Sequence, residues 1–167
     1  MVSYTRGMAK RLVIALAAVL TLAGCESRDV VTDLQIVEVH SGWFDAGRVD
    51  EATLKIVPGI SFRLKNVSQR AISSVEVNAV FRKLDDNAVV DEHYVRAIPS
   101  NQSLEAGSTS APIVLRSRFG LTGVESRLQM LKNSHFVDRN VTILGKHGRR
   151  QWAQMAVLPI EREAINR

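Results

Sequence analysis

In the stretch GISFRLKNVS, residues 59–68, Ile60, Phe62 and Leu64 alternate with Ser61, Arg63 and Lys65. A period of two puts the apolar set on one face of an extended strand and the polar set on the other. The same alternation returns at Val75, Val77, Ala79 and Phe81 within SSVEVNAVFRKL. No helix can use this pattern, because a helix gathers its apolar face at spacings of three and four. DLQIVEVH, residues 33–40, opens the same way with Leu34 and Ile36 and then loses phase at Val37 and Val39. Asp85, Asp86 and Asn87 favour a turn by bonding their own backbone, so AVVDEHYVRAI is expected to return as the partner strand of a hairpin over 72–98. PSNQSLEAGSTS, 99–110, reads as loop and APIVLRSRF as another strand. The stretch 140–162 reads as a closing hairpin turned at Gly145 to Gly148. GWFDAGRVDEA, 42–52, reads as glycine-punctuated loop. In 122–133 the spacing of Val124, Leu128 and Leu131 predicts one short helix. About seven strands and one helix in a single domain indicate an all-β, antiparallel sandwich.

The N-terminus follows a different rule. From Leu12 to Gly24 the chain is apolar for 13 residues, interrupted only by Thr21. As a helix that run measures about 20 Å, short of the roughly 30 Å hydrocarbon core. Arg6, Lys10 and Arg11 precede it, no acidic residue comes before Glu26, and Ala23 and Gly24 close it. A basic head, a short apolar middle and a small-residue exit are the three parts of a secretory signal. The exit LAGC, Leu22 to Cys25, resembles the lipobox of bacterial lipoproteins. That resemblance implies cleavage between Gly24 and Cys25, a diacylglyceryl thioether on Cys25, and an acylated new terminus. Cys25 is the sole cysteine, so an exported chain offers it no disulfide partner. Two or more acyl chains hold a protein stably on a bilayer. The expected organisation is a signal over 1–24, a lipidated tether over 25–32, and the sandwich over 33–167.

Charge points the same way. The 22 basic and 17 acidic residues include three basic ones in the leader, leaving 19 against 17 and a net charge of +2 after cleavage. No basic block or aromatic ladder argues for nucleic acid, and no later apolar run reaches the length of a span. The remaining 143 residues make one domain, able to bury roughly 68% of its unfolded surface without disulfides.

FRLKNVSQRAISSVEVNAVFRKLDDNAVV, followed by LEAGSTSAPIVL, is similar to the FxLYD-type, immunoglobulin-like domains of bacterial lipoproteins. Phe62 to Ser68, Val75 to Asp86 and Leu104 to Thr109 carry the similarity; Phe81-Arg82-Lys83-Leu84-Asp85 departs from the name-giving motif, lacking its Tyr. The resemblance implies an immunoglobulin-like sandwich. Among lipoproteins an Asp after the lipidated Cys retains the protein at the inner membrane. Glu26 stands there instead, which leans the expectation toward the outer membrane, facing the periplasm.

Chemistry-bearing constellations are few. Asp91 and His93 in DEH share a strand face, as the start of a metal site would, but no third ligand can be assigned and the plain reading is a polar, exposed face. His40, His93, His135 and His147 lie far apart. Asp45, Asp50 and Glu51 crowd the loop after Trp43 and Phe44, where burial of a carboxylate pair would permit acid–base work; glycine-flanked acidic loops are ordinarily solvated. Trp43 and Phe44 are read as a loop plug or, because exposed aromatics anchor interfaces, as a contact surface. Asp85 to Asn87 lacks the spaced ligands of a calcium loop. NVS, NQS and NVT match the glycosylation triplet, which has no bearing in a bacterial chain. No Ser sits in a nucleophile elbow. Arg149 and Arg150, beside His147, form a small basic turn, solvated or set against a headgroup or an acidic partner. The expectation is a non-catalytic, lipid-anchored envelope protein with no cofactor or metal, engaging another envelope protein or the cell wall. A small-ligand carrier or sensor is the alternative, and a hydrolase using 45–51 the weakest reading.

Overall fold

The computed structural model describes residues 29–165; the signal segment 1–24, with Gly24, and Cys25 lie outside them. The described chain is an all-β sandwich of two sheets. In order it runs α1 (Val30–Asp33), β1 (Leu34–Arg48), β2 (Leu54–Asn66), β3 (Val75–Lys83), β4 (Val89–Ile98), β5 (Ile113–Arg116), β6 (Leu121–Gly123), α2 (Arg127–Lys132), β7 (Arg139–His147), β8 (Ala153–Ile160) and β9 (Ala164–Ile165). One sheet has the order β5-β2-β1-β9, with β6 also on β2; the other is β4-β3-β7-β8. Every pairing is antiparallel except β1 with β9.

The alternating residues do what their period demands. Ile60, Phe62 and Leu64 meet Val75, Val77, Ala79 and Phe81 across the interior, with Trp43, Leu115, Val141 and Ile143 completing the core. Burying each large side chain contributes about 1.5–3 kcal/mol. The phase lost at Val37 and Val39 has a cause: the register of β1 on β2 shifts between Val37 and His40, and Glu38 has φ 52°. A bulge inserts an extra residue and swaps which neighbours face inward.

The structure corrects several expected boundaries. Asp29 and Val30, inside the segment 25–32 assigned to the tether, already belong to the domain: Asp29 caps α1 and Val30 is buried. Residues 42–48 belong to β1 rather than a loop. Gly42 is there for close approach, since a Cβ would lie 2.8 Å from the carbonyl oxygen of Glu163. The helix in 122–133 is shorter than expected and buries a different face: Met130 and Leu131 are covered, whereas Val124 and Leu128 are exposed. Its start is set by a capping box between Ser126 and Gln129. Gly145 lies within β7 under Met155, and the turn falls after His147 instead. Strand β9, only two residues long, has no signature in its own sequence.

Asn66 is the polar keystone of the lower end. Although fully buried, its Nδ2 donates to Arg70 O at 2.7 Å and Leu104 O at 2.8 Å. Its Oδ1 accepts from the N–H and hydroxyl of Ser68. Every polar atom of the side chain has a partner, the condition for burying an amide without penalty.

Candidate functional site: a groove on the outer face of the first sheet

Trp43 and Phe44 are neighbours on β1 and therefore project to opposite faces of the sheet. Trp43 enters the core, 1% exposed, its ring edge-on to Phe136 at 4.9 Å. Phe44 points to the outer face yet is only 3% exposed. The Arg116 guanidinium from β5 lies over its ring at 4.0 Å. Gly59 on β2 leaves the space the ring occupies, for a Cβ there would sit 2.6 Å from it. Neither aromatic presents itself to solvent, so any contact surface at this place is built from their surroundings.

Those surroundings form an open groove of about 760 Å³. Val39, Phe44, Val114, Leu158 and Ile165 supply its apolar lining, Arg116, Glu161 and Glu163 bring charge to it, and His40 adds a polar ring. Strands far apart in sequence, β1, β2, β5, β8 and β9, define it, and β9 is held against β1 by the Trp43 N–H donating to Glu163 O at 2.7 Å. Ser41 Oγ completes the closure, donating to Pro159 O at 2.9 Å and accepting from the Glu161 N–H at 3.2 Å. Mostly apolar recesses of 300–1,000 Å³ with a few placed polar groups are the usual form of a binding site. This one lies outside the sandwich, while the interior between the sheets is filled by Phe62, Phe81, Ile60 and Leu64, each below 2% exposed.

Asp91 and His93 do share a face of β4, as the alternation requires, but that face is turned inward rather than exposed. Both side chains stitch the edge of the second sheet to the edge of the first. The Asp91 carboxylate accepts from the Arg118 N–H at 2.6 Å, the Arg118 guanidinium at 2.6 Å and the Ser117 hydroxyl at 3.2 Å. Burial alone would raise its pKa; the hydrogen bonds from Arg118, with those from backbone N–H groups and the guanidinium charge, override this and hold it at about 2. His93 Nδ1 sits 3.1 Å from Arg116 N and 2.8 Å from Arg116 O, so it finds a backbone partner whichever tautomer is present. Sequence could not reveal this role, since it depends on β4 and β5 being edge strands on the same side. Among the described residues no group of three His, Cys, Asp or Glu side chains is placed to hold a metal ion.

The acidic loop is spent on its own geometry. Asp45 pairs with Arg127 at 2.8 Å and accepts from the Gly47 N–H. Asp50 accepts from the N–H groups of Thr53 and Ala52, and hydrogen bonds, led by the Thr53 side chain, lower its pKa. Asp45, Asp50 and Glu51 are all exposed. Asp85 to Asn87 form the β3–β4 turn, with Asn87 at φ 56° and Asp86 accepting from the Ala88 N–H.

No family model matches the chain, and no curated protein matches it. A solved structure described as the X-ray structure of Northeast Structural Genomics Consortium target SoR45 is similar over 78% of this chain and 86% of its own, at 8% identity and a TM-score of 0.41.

Proposed function

We propose that the chain is a non-catalytic bacterial envelope lipoprotein, a β-sandwich held on the membrane through Cys25 that engages another envelope protein through the outer groove. The observation that carries the reading is positional. A lipobox closes a secretory signal at Cys25, and Asp29 already caps a helix of the domain, so the lipid anchor lies at most four residues along the chain from folded structure. The resemblance of Phe62 to Ser68, Val75 to Asp86 and Leu104 to Thr109 to FxLYD-type lipoprotein domains supports the same reading. Among the described residues no helix is long and apolar enough to cross a membrane. Glu26 favours the outer membrane, with the domain facing the periplasm.

The groove suits an extended segment of a partner, because it is open and offers apolar lining between charged groups. A photo-reactive residue at Val114, 43% exposed in the groove, is expected to capture one defined envelope protein in intact cells. Val124, exposed at the far end of β6, is expected to capture none. Recovery of the uncrosslinked protein alone from Val114 would refute the interaction role. The size of the groove favours one second reading, a small-ligand carrier; thermal stabilisation by a periplasmic metabolite extract, abolished by filling the groove with Val114→Trp, would favour it over the first. A hydrolase at 45–51 has less support, since Asp45, Asp50 and Glu51 are all exposed and the two aspartates are committed to turn and ion-pair contacts.

A further inference from the structure

The anchor and one end of the sandwich are tied together by a short chain. From Cys25 to Asp29 there are four peptide steps, which span at most about 14 Å. Asp29 is the N-cap of α1, its Oδ1 accepting from the Val31 N–H at 3.0 Å. Helix α1 is seated on the end of β7: a Cβ on Gly145 would lie 3.3 Å from Val30 Cγ2. Asp29, Val30 and His147 line one small recess. The β7–β8 turn therefore begins beside the point from which the lipidated segment departs.

That turn is built to stay where it is. The Gly148 N–H donates to Ser74 O at 2.8 Å with Gly148 at φ +57°, and the Arg150 N–H donates to His147 O at 3.1 Å. It presents Arg149 and Arg150 to solvent, followed by Trp152 at 39% exposure. Trp152 is braced by the Tyr94 ring at 6.1 Å, and Lys146 Nζ lies 4.9 Å from its centre. Of the nearby acidic groups, Asp29 caps α1 and Glu76 holds Lys146 at 2.6 Å; Asp33 remains as an opposing charge. Recognition at this end rests on two arginines and an indole rather than on net charge.

We propose that Arg149, Arg150 and Trp152 form a second, non-covalent membrane contact beside the lipid anchor, with anionic phospholipid as its partner. The guanidinium groups take headgroup phosphates, for which their planar forks are suited, and the indole enters the interfacial layer that tryptophan favours. The contact stands the domain on its α1 end and turns the opposite end, with the 49–53 and 84–88 loops, toward the periplasm. The inference rests on the lipoprotein reading.

The two tryptophans make the test direct. Trp43 is 1% exposed in the core, so quenching by headgroup spin-labelled lipid reports on Trp152. The full acylated protein, its acylation verified by intact mass, is placed in vesicles of phosphatidylethanolamine with phosphatidylglycerol, or of neutral phosphatidylcholine. Quenching is expected in the first and not the second, to disappear in Trp152→Phe, and to weaken with salt as the Debye length falls from about 10 Å at 0.1 M to 3 Å at 1 M. Each cationic side chain near an anionic surface is worth roughly fivefold in association, so Arg149→Glu with Arg150→Glu should lower the docked fraction by an order of magnitude or more. The milder Arg149→Gln, Arg150→Gln pair should lower it less. Acylated protein with no quenching in anionic vesicles, as when the turn serves an acidic partner protein instead, overturns the inference and leaves the lipoprotein reading standing. Equal quenching in neutral and anionic vesicles also overturns it. A free thiol at Cys25 removes the anchor, and both readings fall.

Discussion

Replacing Asp91 with Asn tests whether the two sheets are fastened at their edges by charge. The substitution keeps the shape and removes the anion that faces Arg118. The native carboxyl sits at about 2 against an ordinary 3.8. A shift approaching two units, at 1.36 kcal/mol per unit, corresponds to roughly 2.5 kcal/mol at neutral pH. The Arg118 side chain is 77% exposed, so solvent screening reduces the expected loss to about 1–2 kcal/mol. In a domain of this size that lowers Tm by about 3–8 °C. The sign with pH follows from the direction of the shift. A carboxyl whose pKa is depressed by folding stabilises the fold above its unfolded value, and the benefit disappears as pH falls from 3.8 toward 2. Urea denaturation of the two proteins between pH 7 and pH 2 should therefore give curves that differ at neutral pH and converge in acid. A difference below about 0.5 kcal/mol at pH 7, the size of an ordinary surface change, or one that persists unchanged in acid, would refute the clamp. Arg118→Met should cost less than Asp91→Asn, because Asp91 keeps the Arg118 N–H and the Ser117 hydroxyl.

Asn66→Ala removes the amide donors from the Arg70 and Leu104 carbonyls, which keep the Ser68 hydroxyl and the Ile72 N–H, and leaves the Ser68 N–H without its acceptor; it should cost about 1–3 kcal/mol by chemical denaturation, with Asn66→Asp at least as damaging. Gly59→Ala places a methyl 2.6 Å from the Phe44 ring and should cost about 1–3 kcal/mol while abolishing photocapture from Val114. Cys25→Ser should leave residues 1–24 attached and the protein without the diacylglyceryl mass increment, read by intact-mass analysis of the membrane fraction.

Reading residues in order revealed the strands that alternate cleanly and left the groove invisible. Phe62, Leu64, Val75 and Phe81 announced their inward face because a half-buried strand imposes a period on its own sequence. The β3–β4 hairpin was legible for the same reason, with Asp85 to Asn87 marking its turn. Gly42 was misleading. A glycine reads as loop punctuation, yet here it lies mid-strand to let the chain around Glu163 pass. Asp91 and His93 were placed correctly on one face and assigned the wrong environment, because which edge of one sheet lies beside which edge of the other is not written in either strand.

Local pattern, then, suffices for the β3–β4 and β7–β8 hairpins, the sandwich class and the expectation of a cleaved leader, since each is read from alternation, turns and motifs that involve neighbouring residues. The groove, the Asp91–Arg118 clamp and the seat of α1 beside the basic turn arise from segments separated by tens of residues. Trp43 and Glu163 meet because β9, at the far end of the sequence, pairs in parallel with β1. The physical divide is contact range: short-range periodicity is encoded where it acts, whereas juxtaposition of distant edges is an outcome of packing the entire chain.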